Sequence, residues 1–354
     1  MTILRIEHNV ALDDYNTFGI AARARELVRV RSAADLQALV EQPALLRPGW
    51  IVLGGGSNVV LTGDVGKLVL KMEVMGKQLV GEDDKHWIVQ AGAGENWHGF
   101  VAWTLQQGWS GLENLALIPG VVGSSPVQNI GAYGIELQDR FHSLEAVDME
   151  TGRIFTLDAA QCGFGYRDSV FKHTPARAGD YGLAGKAIIT QVRFALPKVW
   201  KPELDYLDLQ RKMQELGLHN PTAQQVFDMV VAIRSAKLPN PAEIGNAGSF
   251  FKNPVVSQEV CDDIISREPK IVHYPMPDGT VKLAAGWMID ACGWRGKSMG
   301  NAGVYSKQAL VLVNRYHETG VRATGGEVMT LAGAIQTSVY ERFGIRLEPE
   351  PVVL

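Results

Sequence analysis

Hydrophobic positions along this chain change period repeatedly, and each period predicts a different element. Short apolar runs at 26–30 (ELVRV), 50–54 (WIVLG), 67–72 (KLVLKM) and 86–92 (HWIVQAG) predict strands. Residues 33–42 carry a helical pattern with Ser32 placed to cap it; Trp97, Phe100, Val101, Thr104 and Leu105 share another helical face, which Gly108 ends. LEAVDME, a Thr-Gly turn and RIFTLD predict a β-hairpin over 144–158. Thr222 with Gln225, and Thr324 with Glu327, form capping boxes ahead of two more helices, the second running to Phe343. Stretches 257–267 and 283–293 also read as helices, and 308–314 as a strand. Apolar strands between amphipathic helices indicate α/β or α+β layers. The proline, asparagine and glycine of KLPNPAEIGNAG (237–248) mark a domain boundary near residue 235.

Two stretches follow neither period. In LGGGSNVV (53–60), glycine permits φ > 0 and close backbone approach, and successive N–H groups can form a concave anion site. A tight turn that is merely glycine-rich is the competing reading. GLENLALIPGVVGSSPVQNIGAYG (111–134) holds five glycines and two prolines in 24 residues. It is too long for an ordinary connection and too apolar for disorder, so it is expected to wrap around something. Ser124 and Ser125 lack the GxSxG context of a hydrolase nucleophile, but their hydroxyl and N–H groups suit a pyrophosphate. Familiar nucleotide templates fail: GxGxxG breaks at Val59 and again at Trp97. The P-loop pattern in ACGWRGKS (291–298) breaks at Ala291 and follows a helical stretch, leaving Lys297 as a surface residue or a phosphate contact.

Composition narrows the class. A length of 354 residues implies more than one domain, and 46% hydrophobic with 20% charged residues suits a soluble protein. A net charge of −4 argues against a general nucleic-acid binder. No apolar stretch has the length of a membrane span and the N-terminus lacks a signal h-region, so a cytoplasmic location is expected. Cys162, Cys261 and Cys292 show no CxxC spacing and read as reduced, buried thiols; the eight histidines form no metal motif. Three further stretches place polar groups among aromatic or apolar residues. They are FGYRDSVFKH (Arg167, Asp168), GNAGSFFKNP (Ser249, Asn253) and RLEPEPVVL (Glu348, Glu350). Taken singly, a local ion network, a turn bond and an exposed carboxylate edge explain them.

Taken together and in order, GGGSNV, the 111–134 loop, FGYRDSVFK, GNAGSFFKNP, KLAAGWMID and RLEPE resemble the UDP-N-acetylenolpyruvoylglucosamine reductase family, over about Asn16 to Glu350. The resemblance implies an α+β protein with an FAD-binding fold of the vanillyl-alcohol-oxidase type. Its two subdomains would be residues 1–75 and 76–235, followed by a separate α+β substrate-binding domain at 236–345 and a segment, 346–354, returning to the active site. It implies NADPH-dependent reduction of UDP-N-acetylglucosamine enolpyruvate to UDP-N-acetylmuramate through bound FAD, in peptidoglycan precursor synthesis. An oxidase on the same fold is the alternative, although it leaves the serine, arginine and glutamate without a proton-transfer role.

By the same resemblance, Arg167 polarises the substrate carboxylate, Ser249 donates a proton and Glu350 assists Arg167. Gly54, Gly55, Gly56, Ser57, Asn58, Gly123, Ser124, Ser125, Asn129, Ile130 and Gly131 are expected at FAD. Tyr166, Tyr206, Arg234, Lys237, Asn253, Tyr274 and Gln308 are expected at the substrate, with Tyr206 marking the branch that carries a mobile tyrosine loop. No metal, nucleic acid or membrane partner is implied, and a monomer is expected. Pro351 departs from the family pattern and lacks an N–H for a strand ladder. The 174–187 stretch reads as a surface loop of no assigned role.

Overall fold

In the computed structural model, which describes residues 4–174 and 182–354, the apolar runs of the N-terminal half pair into two sheets. The first runs in the order Ile6–Ala11, Arg23–Val30, Val65–Met72 and Trp50–Leu53. Its last three strands are parallel, with Val28 opposite Leu70 and Ile51 opposite Val69. Ser32 caps the helix Ala33–Val40 in a capping box, accepting the Asp35 N–H at 3.3 Å. That helix presses Leu36 and Leu39 onto Val28, Val30, Leu68 and Leu70.

The second sheet is antiparallel throughout, in the order Ile154–Asp158, Phe141–Asp148, Ala187–Pro197, His86–Gly92 and Lys77–Glu82. The expected hairpin is its first pair. The helix Trp97–Gln106 buries Trp97, Phe100, Val101 and Thr104, and the Trp97 and Phe100 rings sit 5.8 and 5.1 Å from that of Phe194. Most of the chain before residue 236 forms one compact unit, Met1–Val10, Ala24–Gly55 and Val65–Ser235. The glycine-rich stretch at 174–187 lies in part outside the described residues.

A second unit comprises Ala11–Arg23, Gly56–Asp64 and Ala236–Leu354. Its main sheet is antiparallel, in the order Asn246–Ser249, Val311–Asn314, Ala302–Val304 and Ser298–Met299. The helix Gly325–Phe343 covers it, burying Val328, Leu331, Ala332, Ile335, Val339 and Phe343 at helical spacing. Thr324 and Glu327 make the expected capping box. The short helix Ala285–Ala291 precedes residues 292–298, and a strand follows them, so the strand-loop-helix of a P-loop is absent there.

The division differs from one drawn by chain order. Segments 11–23 and 56–64, expected with the first subdomain, belong to the C-terminal unit, and specific bonds hold them there. Thr17 accepts the Asn246 N–H through its carbonyl at 2.9 Å and donates its hydroxyl to the Asn246 carbonyl at 2.6 Å. Asn314 donates to Phe18 O at 2.9 Å. A Cβ on Gly56 would lie 1.9 Å from Tyr15 O, so the two segments touch backbone to backbone. The C-terminus is added by parallel pairing of Val352–Val353 with Val59–Val60. Of the three thiols, Cys162 and Cys261 are buried, whereas Cys292 is only partly so.

Adjacent glycines at the start of the long helix give opposite expectations. A Cβ on Gly325 would meet Leu61 O at 2.0 Å, whereas one on Gly326 meets nothing closer than 3.9 Å. Gly326→Ala should stabilise the protein by up to about 1 kcal/mol through helix propensity. Gly325→Ala should destabilise it by roughly 1–3 kcal/mol, because backbone overlap outweighs the same propensity gain. Denaturant midpoints of the two variants check the sign of each.

Candidate active-site residues

In the first unit the two glycine loops pack against each other. A Cβ on Gly54 would sit 2.6 Å from Val121 Cγ2, and one on Gly55 would sit 2.9 Å from Gly120 Cα. On Gly123 it would fall 2.4 Å from Ala93 Cβ. These glycines are therefore required by chain-to-chain approach, whatever a ligand adds. The N–H groups of Gly123, Ser124 and Ser125 are used internally, by Ala93 O, Val121 O and Val122 O at 2.9–3.1 Å. Both serine hydroxyls also donate to the backbone, Ser124 to Val121 O at 2.7 Å and Ser125 to Val122 O at 2.6 Å. That part of the loop thus departs from the expectation of free N–H donors, because Ser124 and Ser125 close a 3₁₀ turn on the loop itself and Gly123 bonds to Ala93. Among the described residues, no protein acceptor takes the N–H of Gly54 or Gly55. The Lys71 amine donates to the carbonyl of Gly54, which shares a peptide with the Gly55 N–H. Burial pushes the Lys71 amine below the usual lysine range.

Arg167 occupies an unusual backbone position. Gly165 and Asp168 bond to each other across a two-residue turn, N–H to O at 3.1 and 3.2 Å, with Tyr166 and Arg167 at its tip. Arg167 has φ +54°, a region that favours Gly or Asn. Its guanidinium donates to Gly131 O at 3.0 Å and lies 5.5 Å from the Tyr166 ring, while its carbonyl takes the Lys172 amine at 3.0 Å. Leu117, Asn129 and Tyr133, in the long loop, also have positive φ. Side chains in this region cost of order 1–3 kcal/mol each and cluster at functional sites.

Arg234, near the end of the helix Ala223–Lys237, reaches the same neighbourhood. It donates to the Tyr133 hydroxyl; burial pushes its pKa down, and the positive charge of Arg167 adds to that. Its Nε is buried without a partner among the described residues, as is Asn114 Oδ1. Tyr206, 43% exposed, stands edge-on to Tyr133 with ring centroids 5.1 Å apart. Of the expected substrate residues, the first unit therefore gathers Tyr166, Tyr206 and Arg234 around Arg167 and the loop. It also brings in Tyr133, His98 and Asn114, which sequence reasoning missed. The one signal for Tyr133 was that it is the single aromatic residue of the 111–134 loop, set between alanine and glycine.

In the second unit, Ser249 ends the strand Asn246–Ser249, just after a register shift at Gly248, φ +70°. Asn246 fixes that turn by accepting the Gly248 N–H at 2.9 Å. Phe250 and Phe251 follow, both 1% exposed and edge-to-face at 5.2 Å, and anchor the strand. Phe250 O accepts the Glu350 N–H at 2.8 Å, so Ser249 and Glu350 are brought onto neighbouring segments. Asn58 donates to Glu350 O at 3.2 Å and accepts the Val352 N–H at 2.9 Å. Pro351 falls between these bonds, buried, where no N–H is called on. Glu348 pairs with Lys252 instead.

Asn253 accepts the Ala285 N–H at 3.0 Å at the start of the helix Ala285–Ala291, and Gln308 Oε1 lies against Gly286 of that helix. The Tyr274 ring is 46% exposed and lies 6.0 Å from the Lys282 amine. Lys237 is the last residue of the helix Ala223–Lys237. Gly56, Ser57 and Asn58 belong to this unit, apart from Gly54 and Gly55.

Comparison with known proteins assigns the two parts of the chain. A model described as FAD binding domain matches residues 24–158, and one described as UDP-N-acetylenolpyruvoylglucosamine reductase, C-terminal domain, matches residues 240–354. The chain is thus an FAD-dependent oxidoreductase of α+β architecture. Similar proteins include the UDP-N-acetylenolpyruvoylglucosamine reductase of Burkholderia orbicola (strain MC0-3), 54% identical over 342 residues, 96% of this chain and 94% of that protein. That of Azoarcus sp. (strain BH72) is 50% identical over 353 residues, 99% of this chain and 98% of its own. The crystal structure of the corresponding reductase from Thermus caldophilus superposes with a TM-score of 0.67 at 25% identity, covering 99% of both chains. This protein belongs to the UDP-N-acetylenolpyruvoylglucosamine reductase family.

His98 yields a pH prediction. Its Nδ1 accepts the Leu117 N–H at 3.1 Å, and its ring stacks on Phe227 at 5.3 Å and 8°. Burial, and then the Arg234 charge, lower its pKa. The unfolded chain therefore binds a proton on His98 more readily than the folded one. Stability from this group is fully present above about pH 6.5 and lost as pH falls below it, by at most about 1.4 kcal/mol per unit. His98→Gln should flatten the fall in denaturant midpoint between pH 7 and pH 5. Equal slopes in the two proteins would contradict the assignment.

Proposed function

We propose that this protein reduces UDP-N-acetylglucosamine enolpyruvate to UDP-N-acetylmuramate with NADPH as hydride donor, a step in peptidoglycan precursor synthesis. The observation that carries the reading is the Phe250 O to Glu350 N–H bond. It holds a serine and a carboxylate on neighbouring segments inside the part matched by the reductase C-terminal domain. The residues present fit FAD: Gly54 and Gly55 offer N–H groups without a protein acceptor among the described residues, and Lys71 polarises the peptide between them. Bound there, FAD would supply a two-electron carrier between NADPH and the enolpyruvyl group.

The chain's own residues govern the charge and proton that follow. Hydride addition at C3 leaves negative charge on C2 and the carboxylate. Arg167 presents a planar fork suited to a carboxylate, and its backbone and side chain are both tied down. Ser249 donates the proton to C2. A serine hydroxyl is a weak acid, so this role requires a strongly basic carbanion beside it. Glu350, in its protonated form, supports the charge on the reacting group by donating a hydrogen bond to it. Arg234 and Tyr133 add a cation and a hydroxyl to the surroundings of Arg167, while Asn253, Tyr274, Gln308 and Lys237 bind the sugar nucleotide. Tyr206, exposed and edge-on to Tyr133, suits the tyrosine-loop branch of the family. A monomer in the cytoplasm completes the reading; no helix among the described residues is long and apolar enough to cross a membrane.

The test is an oxygen-free absorption spectrum of the purified protein as isolated, after one equivalent of NADPH, and after the enolpyruvyl substrate. Bleaching by NADPH and recolouring by substrate is the expected result; recolouring only with oxygen would make the protein an oxidase.

Two variants separate the roles. Ser249→Ala should leave reduction by NADPH fast and slow reoxidation by substrate on the order of a hundredfold, the cost of one well-aimed donor. Slowing of both half-reactions alike would remove Ser249 from proton transfer. Lys71→Met should weaken FAD binding about tenfold, equivalent to about 1.4 kcal/mol, in a fluorescence titration of the apoprotein.

A further inference from the structure

Asn129 has no exposure at all, and its side-chain amide is engaged three times by protein groups. Its Nδ2 donates to Gly165 O at 3.1 Å and to Glu136 Oε2 at 2.9 Å, and its Oδ1 accepts the Gln138 N–H at 3.0 Å. Gly165 is the first residue of the turn that carries Arg167 at its tip. A reciprocal bond joins the same two stretches, from the fully buried Ser169 hydroxyl to Val127 O at 2.8 Å. One side chain of the long loop thus grips the arginine turn, and one side chain beyond the turn grips the loop.

We propose that Asn129 is a positioning residue for Arg167, acting through the Gly165 carbonyl rather than as a side-chain ligand of the cofactor. The inference rests on the reading of Arg167 as the carboxylate-binding residue. Arg167 sits at φ +54°, a conformation that persists in a residue with a side chain only where the surroundings over-determine it. Three bonds do so: Asn129 to Gly165 O, Lys172 to Arg167 O, and Arg167 itself to Gly131 O. The first and third both return to one short piece of the loop, residues 129–131. A Cβ on Gly131 would lie 3.2 Å from Arg167 Nη1 and 3.0 Å from Glu136 Cγ. Glu136, the other acceptor of the Asn129 amide, therefore flanks the same guanidinium. Asn129 joins both sides of the arginine: the turn that carries it and the acid beside it. Asn is well suited to the position, because it tolerates its own φ of +42° while presenting two donors and an acceptor.

Two variants test this. Asn129→Gly removes the amide at no conformational cost where φ is positive. Asn129→Asp keeps the shape but cannot donate to Gly165 O or Glu136. Both should retain bound flavin and be reduced by NADPH within about twofold of the parent, while reoxidation by enolpyruvyl substrate slows about a hundredfold, the cost of a misplaced reacting group. Product affinity, read from the change in flavin absorbance on titrating UDP-N-acetylmuramate, should fall in parallel. Adding Asn129→Gly to Arg167→Lys should cost less than about threefold more, because the two residues act as one unit. Unchanged reoxidation in both variants, with Arg167→Lys slow, would overturn the positioning role and leave the role of Arg167 intact. Loss of flavin, or equal slowing of both half-reactions, would make Asn129 a cofactor or folding residue and overturn the proposal. Normal reoxidation in Arg167→Lys would instead remove the reading of Arg167, and the proposal with it.

Discussion

Burying an irregular stretch of chain is the constraint on which the first unit depends. A helix or strand satisfies its own backbone polar groups, whereas a loop under a core must find a partner for each one. The 111–134 loop finds them one by one. Arg140 donates to Gly111 O, the Trp97 indole to Leu115 O, Asn114 to Tyr133 O, Ser169 to Val127 O and Arg167 to Gly131 O. His98 takes the Leu117 N–H and Glu113 takes that of Gly111. Each such bond fixes a residue as well as satisfying it, so the polar side chains that make the loop buriable also set the positions of Arg167 and Tyr133.

The same constraint changes the meaning of the glycines. In sequence, the run at 54–56 reads as a cradle for an anion. In the folded unit, Gly54, Gly55 and Gly123 are first of all places of close approach with no room for a Cβ, Gly54 against the Val121 side chain and Gly55 against the Gly120 backbone. The two functions are compatible: close packing of the loops leaves the Gly54 and Gly55 N–H groups without a protein acceptor among the described residues, while the 3₁₀ turn at 122–124 closes its own. The glycines therefore report compactness in both loops and an open donor pair in only one of them.

Periodic segments were legible in the sequence because their signals are local. Ser32, Thr222 and Thr324 each cap the helix expected of them, and the 144–158 hairpin pairs as its turn dictates. The assignment of segments 11–23 and 56–64 to the C-terminal unit was not legible. It rests on Thr17, Asn314 and a Gly56 contact, bonds between residues up to 296 apart, which no spacing reveals. Among the candidate residues, Arg167 and Ser249 stood out through their aromatic and glycine neighbours, and Glu350 through its place two residues from Glu348 on an extended segment. His98, Asn114 and Tyr133 did not, since each gains its role only from a partner elsewhere in the fold.

The C-terminal segment shows how such a partner makes an awkward residue acceptable. Proline ends strand ladders because it has no N–H to give. Here the segment uses the N–H of Glu350 toward Phe250 and that of Val352 toward Asn58, on either side of Pro351. Leu354 continues the pattern onto Val60, and Thr62 closes it by donating to Leu354 O at 2.7 Å. The missing donor therefore falls at a position the ladder skips, and the fixed φ of proline removes freedom from the residue next to Glu350. A substitution that looks disruptive in one dimension stiffens the carboxylate's backbone in three.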